Sequence, residues 1–188
     1  MAEVKIWTLW NEEELTAEEA ELLRRRAGDL PIPLDGAAKR DVETVLNTFL
    51  ARNDAAGLAA PQIGISRRII VFRTRNFGTG IPPLKNGPDY EVLINPRITQ
   101  VRGEMVKETE GCLSCPDINV DVERADEIKV RAYDRTGAKI NKRYTGFLAR
   151  VVQHEIDHLD GKLIIDRGAT VYYSKEKEAF FDRIFKGN

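Results

Sequence analysis

The spacing of apolar side chains predicts helices in the first third of the chain. In "LTAEEAELLRRRAGDL", Thr16 precedes Glu19 by three residues, which is the pattern of an N-terminal capping box. Gly28 suits a helix stop, so a helix is predicted over about residues 17–27. The next stretch, "RDVETVLNTFLAR", predicts a second amphipathic helix. Its apolar stripe consists of Val42, Val45, Leu46, Phe49 and Leu50.

The middle of the chain has the pattern of β-strands. The segments "RRIIVFRT", "YEVLINPRI", "INVDVE" and "EIKVRAY" are rich in β-branched residues, and Ile128, Val130 and Ala132 alternate with polar neighbours. The sequence "DRTG" after the last of these segments predicts a hairpin turn. Residues 77–90 are rich in Gly and Pro and predict a long surface loop.

Two further helices are predicted near the end of the chain. The segment "GFLARVVQHEIDHLDGKL" predicts a helix over about residues 147–160 that ends at Gly161. "KEKEAFFDRIFK" predicts a last, C-terminal helix. Together the patterns predict an α+β fold over a single domain, 1–188. Mostly antiparallel β-sheets would pack around the central helix that carries HEIDH, with N-terminal helices and a C-terminal helix.

Composition narrows the possible classes of protein. The chain has 188 residues, 42% hydrophobic and 31% charged, which is typical of a globular protein with its own core. A net charge of −1 argues against direct nucleic-acid binding. There is no apolar run of about 18 residues and no signal-peptide pattern, so we expect no membrane span and a cytoplasmic location.

The HEIDH helix carries a carboxylate on its apolar side. On a helical wheel at about 100° per residue, Glu155 lies between Val151 and Leu148, while Arg150 and Asp157 occupy the opposite, polar arc. A buried, unpaired carboxylate is costly and needs a nearby cation or a proton to handle.

The only two histidines of the chain, His154 and His158, stand on either side of Glu155 and four residues apart. This is the H-E-x-x-H pattern, in which the histidines bind a metal and the glutamate acts as general base. A helix whose histidines are only satisfied by hydrogen bonds is the simpler alternative, but it leaves the glutamate unexplained.

A catalytic metal needs a third protein ligand, and the residues themselves leave its identity open. Glu176 or Glu178 would complete a site like that of a zincin-type metallopeptidase. Cys112, in "EGCLSC", would complete a thiolate site instead. Cys115 also allows a redox C-x-x-C interpretation, although such a motif normally opens a helix and here Pro116 follows.

Three segments in order resemble the signature motifs of the peptide deformylase family. They are "GLAAPQ" at 57–62, "EGCLS" at 110–114 and "QHEIDHLDG" at 153–161. The similarity extends over about residues 40–165 and includes "RRIIVF", "LINP" and the "DRTG" hairpin. It implies a metal-dependent hydrolase that removes the N-formyl group from N-formylmethionine of nascent polypeptides near the ribosome exit and releases formate.

The resemblance also implies a role for each matching residue. Cys112, His154 and His158 would hold one divalent metal, natively Fe²⁺, with Zn²⁺, Ni²⁺ or Co²⁺ able to replace it. Glu155 would be the general base and then the acid. The Gln62 side-chain amide and the Leu113 backbone N–H would stabilise the oxyanion. The residues expected to bind substrate are Gly57, Gly111, Arg124, Phe147 and Val151.

The sequence departs from the family pattern at two positions near these motifs. Ala55 stands where the first motif usually has its first glycine, and Cys115 stands where an aliphatic residue usually follows "EGCLS". The first 15 residues and the segment 77–90 do not match closely. A zincin-like peptidase and a metal-binding homologue without activity are the competing functions.

Overall fold

The structure is a computed structural model that describes residues 4–12, 14–75 and 89–187. Its elements are helices and β-strands, and most of the strands form one large antiparallel sheet. In chain order they are β1 (Trp10–Asn11), β2 (Glu14–Leu15), α1 (Ala17–Leu23), α2 (Gly36–Leu50), β3 (Gly57–Ala59), β4 (Ile69–Arg73), β5 (Tyr90–Cys112), β6 (Cys115–Tyr133), β7 (Lys139–Thr145), α3 (Gly146–Leu159), β8 (Val171–Tyr173) and α4 (Glu178–Phe185).

The main sheet is antiparallel, and its strand order within the described ranges is β3-β4-β5-β6-β7, with β8 paired to β6. The segments "INVDVE" and "EIKVRAY", which suggest two strands, belong to the single strand β6. Ile128, Val130 and Ala132 are all buried, as their alternation predicts. The predicted "DRTG" hairpin is confirmed: it joins β6 to β7, and the Gly137 N–H donates to the Asp134 carbonyl over 2.9 Å.

Helix α2 begins earlier than its apolar stripe suggests. The Asp35 carboxylate accepts a hydrogen bond from the Ala38 N–H at 2.8 Å and caps the helix. Leu50, predicted to lie on the buried stripe, is 42% exposed because α2 ends there. The other four residues of the stripe, Val42, Val45, Leu46 and Phe49, are buried against β3 and β4.

Helix α1 is shorter than predicted, and its predicted capping box does not form. The Thr16 hydroxyl donates to the Thr8 carbonyl instead, and the Glu19 carboxylate accepts from the Thr8 N–H at 2.8 Å. The backbone of Thr8, in the segment before α1, therefore forms hydrogen bonds with both side chains. Gly28 is not the helix stop, since α1 ends at Leu23.

Helix α3 packs on the main sheet, and Gly161 ends it as predicted. Gly161 has φ +70°, and a Cβ there would lie 2.2 Å from the Arg24 carbonyl oxygen, so only glycine fits. The apolar side of α3 packs against β6, where Val152 and Leu159 are fully buried. This arrangement places the HEIDH segment against the sheet, next to the end of β5.

The C-terminal helix α4 is also present, and Phe181 packs edge-to-face on Trp10 with ring centroids 5.4 Å apart. No helix in the described ranges is long and apolar enough to cross a membrane. The loop predicted over 77–90 lies, for residues 77–88, outside the described residues. The predicted α+β class, with antiparallel strands around the HEIDH helix, is confirmed.

Candidate active site

Two elements bring three potential metal ligands together. Cys112 is the last residue of β5, while His154 and His158 lie one turn apart on α3. One ligand atom from each side chain lies within 4.8 Å of the other two. Among the described residues, Glu176 and Glu178 are not part of this group, and both are exposed on the surface.

The geometry of the three side chains fits a divalent metal. The Cys112 Sγ and the His158 Nε2 are 3.3 Å apart. Ligands bonded to one tetrahedral ion at about 2.0–2.3 Å lie roughly 3.5 Å from each other. One thiolate and two imidazoles are also a donor set that suits zinc and other transition metals.

The protonation of the group supports the same conclusion. A hydrogen bond from Cys115, together with the charge of His158, holds the pKa of Cys112 well below its usual range. Burial acts to lower the pKa of His154, but hydrogen bonds with Cys112 and Glu110 outweigh it and raise that pKa. The cluster therefore favours a thiolate next to a shared positive charge, and a bound metal cation can take the place of the proton.

Glu110 fixes the orientation of His154. Its Oε2 lies 2.9 Å from the His154 Nδ1, which leaves the other ring nitrogen of His154 for the metal. Arg124 and Arg150 each donate to Glu110, at 2.6 Å and 2.7 Å. Burial acts to raise the pKa of Glu110, but the hydrogen bonds from His154 and Arg124 outweigh it and lower the pKa to about 2. Glu110 is therefore a carboxylate at neutral pH.

Arg124 lies within this ion network, and it is not among the residues that line the cavity. Its guanidinium donates to Glu110 through two nitrogens and to Asp157 over 2.8 Å, and it is 4% exposed. Arg167 also donates to Asp157. Its charge is paired with Glu110 and Asp157, and the expected part of Arg124 in substrate binding stays a prediction.

Glu155 is buried beside the metal ligands, as its wheel position predicts. It is 4% exposed, and its Oε2 has no hydrogen-bond partner in the described part of the chain. Burial raises its pKa above the ordinary value of 4.5, against the opposing effect of the two imidazoles. A Cβ on Gly57 would lie 2.4 Å from the Glu155 Oε1, so the glycine makes room for this carboxylate.

The side-chain amide of Gln62 has a fixed orientation. Its Oε1 accepts from the Ala59 N–H at 2.9 Å, so its Nε2 must point the other way. The Nε2 lies 3.3 Å from the Ser114 Oγ and 3.9 Å from the Cys112 Sγ. A donor held in this way faces the space beside the metal ligands.

These side chains surround a cavity of about 440 Å³. Phe147, 45% exposed, and Val151, buried, form an apolar part of the wall. Ala55 also lines it. Of the residues singled out from the sequence, the wall contains Gly57, Gln62, Gly111, Cys112, Leu113, Phe147, Val151, His154 and Glu155.

The ion network beneath these residues was not found by sequence reasoning. The helical wheel assigns Arg150 and Asp157 to a polar arc, but both are buried, at 7% and 6% exposure. Glu110 was visible only as the first letter of "EGCLS", without a role. The signal available was position: Glu110, Arg150 and Asp157 are charged residues within or next to the segments that carry the predicted metal ligands.

Comparison with known proteins identifies the family of this chain. The family model described as polypeptide deformylase matches residues 13–173. A peptide deformylase of Thermodesulfovibrio yellowstonii is 38% identical over 166 residues, which is 88% of this chain and 92% of the relative. A peptide deformylase of Thermotoga neapolitana is 41% identical over 146 residues, covering 78% of this chain and 80% of the relative.

Solved structures give the same result. The peptide deformylase of Thermotoga maritima matches with a TM-score of 0.71 and 34% identity, covering 90% of this chain and 100% of that one. A Met-Ala-Ser-bound class I type b peptide deformylase of Acinetobacter baumannii also has a TM-score of 0.71, with 30% identity, covering 89% of this chain and 100% of that one.

Proposed function

This chain belongs to the polypeptide deformylase family, and on that premise we propose specific roles for its residues in the family reaction. The reaction is hydrolysis of the formyl group from N-formylmethionine at the start of nascent polypeptides, and the enzymes are metallohydrolases. The observation that carries the proposal is the buried Glu155 Oε2, which has no hydrogen-bond partner in the described ranges and belongs to the same cavity as Cys112 and His154, two members of the cluster that His158 completes.

Cys112, His154 and His158 would hold the metal. A divalent ion in that position supplies a Lewis acid for the formyl group and makes water in the cavity more acidic. We propose Fe²⁺ as the native ion, with Zn²⁺, Ni²⁺ or Co²⁺ as replacements, because a thiolate with two imidazoles suits each of them. Glu110 keeps the ring of His154 in the orientation that binding requires.

Glu155 is the proton carrier of the proposed mechanism. Its Oε2 accepts a proton from the water that attacks the formyl carbon. The same oxygen then delivers that proton to the amine nitrogen as the C–N bond breaks and formate leaves. Gly57 allows the carboxylate to remain at this place.

Gln62 and Leu113 are proposed to stabilise the negative charge on the formyl oxygen. The Gln62 amide is supported by its fixed orientation, with Nε2 directed towards Cys112. The Leu113 N–H belongs to the turn that follows Cys112 and lines the same cavity. Preorganised donors of this kind are worth about 3 kcal/mol each in acyl transfer.

The remaining wall is proposed to bind the substrate. Phe147 and Val151 offer an apolar surface for the methionine side chain, while Gly57 and Gly111 leave room for a peptide backbone. The relative solved with Met-Ala-Ser bound supports a short peptide as ligand. We propose that Arg124 acts on this site only indirectly, through Glu110.

The cellular setting is part of the proposal. Cys112 must remain a free thiolate to bind metal, which favours the reducing cytoplasm. There the chain would act on formylated polypeptides soon after they emerge from the ribosome, without binding nucleic acid or membrane itself.

Formate release from formyl-Met-Ala-Ser under anaerobic conditions tests the function. The iron-reconstituted protein should release formate, and it should leave acetyl-Met-Ala-Ser and internal peptide bonds intact. A chelator should abolish the activity and iron should restore it. Cleavage of internal bonds without a formyl requirement would favour the zincin-like alternative, and metal binding without any turnover would favour the inactive homologue.

A further inference from the structure

Cys115 lies opposite Cys112 in the hairpin that joins β5 to β6. The two residues are paired across the two-residue turn Leu113–Ser114. The β5–β6 register shifts between Gly111 and Cys112, so the two cysteines are the first and last residues of a β-turn, whose Cα atoms lie less than about 7 Å apart. A disulfide needs a Cα separation of roughly 4.4–6.8 Å, and a hydrogen bond already joins the Cys112 and Cys115 side chains.

The two thiols differ in their access to solvent. Cys112 lines the active-site cavity, whereas Cys115 is 1% exposed and packs in the apolar cluster around Trp10 and Phe181. A small oxidant can therefore reach Cys112 from the cavity. Thiols of other molecules cannot reach Cys115, so the partner available to it is Cys112.

Three contacts hold the turn between the cysteines in place. The Leu9 N–H donates to the Ser114 carbonyl at 2.9 Å, and the Trp10 Nε1 donates to the Pro116 carbonyl at 2.9 Å. The Gln62 Nε2 lies 3.3 Å from the Ser114 Oγ. These contacts fix the backbone that carries both cysteines, so the two sulfur atoms stay close together.

We propose that Cys115 is a resolving thiol, which converts peroxide-oxidised Cys112 into a reversible Cys112–Cys115 disulfide. The inference rests on the proposed role of Cys112 as a metal ligand and adds a form of regulation to that site. None of the proposed catalytic roles requires a cysteine at position 115.

Hydrogen peroxide is the oxidant, and the reaction proceeds in two steps. In the first, the Cys112 thiolate attacks one peroxide oxygen, the O–O bond breaks, and hydroxide leaves and takes a proton from solvent, which gives Cys112 sulfenic acid and water. In the second, the Cys115 sulfur attacks the sulfenic sulfur, the S–S bond forms, and the hydroxyl leaves with the Cys115 proton as water. Two thiols are oxidised and one peroxide is reduced.

The disulfide has two consequences for the site. A disulfide sulfur is no longer a thiolate, so the metal loses one of its three protein ligands and dissociates more readily. The oxidation of Cys112 also stops at a reversible stage, whereas without Cys115 the sulfenic acid is open to further oxidation to sulfinic and sulfonic acids.

The test uses zinc-loaded protein treated with a small excess of hydrogen peroxide, with the intact mass and the released zinc followed together. The wild type should lose two hydrogen atoms, yield a Cys112–Cys115 linked peptide and release zinc in step. A phosphine reductant should restore both the mass and zinc binding. Cys115→Val, which keeps a buried apolar side chain, should instead gain oxygen atoms on Cys112 without forming the linked peptide, and the reductant should not reverse the fraction that reaches sulfinic or sulfonic acid.

Cys115→Ser serves as a second variant, and it should resemble Cys115→Val because it also lacks the resolving sulfur. Gain of oxygen atoms by the wild type, to the same extent as in the two variants, would overturn the proposal. Failure of the proposed function would appear separately, as absence of formate release from reduced, iron-loaded protein before any peroxide is added.

Discussion

At the scale of single residues, the proposed mechanism depends on proton transfer by Glu155. It is a carboxylate in an apolar environment, and its Oε2 has no hydrogen-bond partner among the described residues. Replacement of Glu155 by glutamine keeps the size of the side chain and removes the ability to take up a proton. Glu155→Gln should therefore bind metal as the wild type does and lose kcat by about 10²–10⁴-fold. Metal content and formate release measure the two effects, and loss of metal from this variant would make Glu155 a ligand instead.

Gln62 provides a second test at this scale. Gln62→Ala removes a donor aimed beside Cys112, and we expect kcat to fall by about 10²–10³-fold while the metal stays bound. Gln62→Glu is the matched control for folding, since it keeps an oxygen for the Ala59 N–H. Both variants should be impaired. A near-normal rate in either would refute the oxyanion role.

The place of Glu155 depends on the absence of a side chain at position 57. A Cβ added to Gly57 would lie 2.4 Å from the Glu155 Oε1, so Gly57→Ala should displace the carboxylate and lower kcat. Gly36→Ala, where the nearest atom would be Arg40 Nη1 at 3.5 Å, is a control that should keep full activity. Equal rates for the two variants, measured by formate release, would show that Glu155 has no fixed position.

The burial of Glu155 and the position of the two histidines on one face of α3 follow directly from the sequence. Helical periodicity places Glu155 on the side of α3 that packs, and i, i+4 spacing places both rings on one face. The third ligand did not follow from residue pattern alone, because Glu176 and Glu178 were equally available in the chain. Only the pairing of β5 with β6 puts Cys112 close to α3.

At the scale of elements, the site depends on a buried ion network that connects β5, β6 and α3. Glu110 on β5 accepts from Arg124 on β6 and from Arg150 on α3, and its Oε2 lies 2.9 Å from the His154 Nδ1. The helical wheel for α3 gives only the direction of the Arg150 side chain around the helix axis. It does not show which strand packs against that side of the helix. The network could not be predicted because it depends on β5 and β6, which are distant from α3 in sequence.

The network predicts a change in metal affinity. Glu110→Gln removes the charge that orients His154, so the affinity for zinc should fall by about 10–100-fold with the fold intact. Glu108 is the matched control, because it lies on the same strand and also pairs with Arg150 but is 54% exposed. Glu108→Gln should bind zinc normally. Competition with a chromogenic chelator measures both affinities, and equal values would remove Glu110 from the site.

Contacts with neighbouring segments and the ends of helices explain two wrong predictions in the first third of the chain, the capping box and the burial of Leu50. Thr16 and Glu19 have the spacing of a capping box, but the segment around Thr8 provides other partners for both side chains. Leu50 has the periodicity of a buried residue, but α2 ends there and leaves it exposed. Periodicity gives the face of an element, whereas its ends and partners depend on the rest of the fold.

At the scale of the whole molecule, the family match over residues 13–173 spans both the antiparallel sheet and α3, the two parts that form the site. The prediction of a single domain over 1–188 remains a prediction, since residues 76–88 lie outside the described ranges. The sheet delivers Cys112 and Glu110 from β5, and the helix delivers both histidines and Glu155. The active site is therefore a product of how the sheet and the helix pack together.

X-ray absorption on the zinc-loaded protein tests the central claim most directly, because it reports the atoms bound to the metal. The account predicts one sulfur ligand at about 2.3 Å and two imidazole nitrogens at about 2.0–2.1 Å, with the sulfur absent in Cys112→Ala. A wild-type spectrum with only nitrogen and oxygen ligands would contradict it and return the third ligand to a carboxylate.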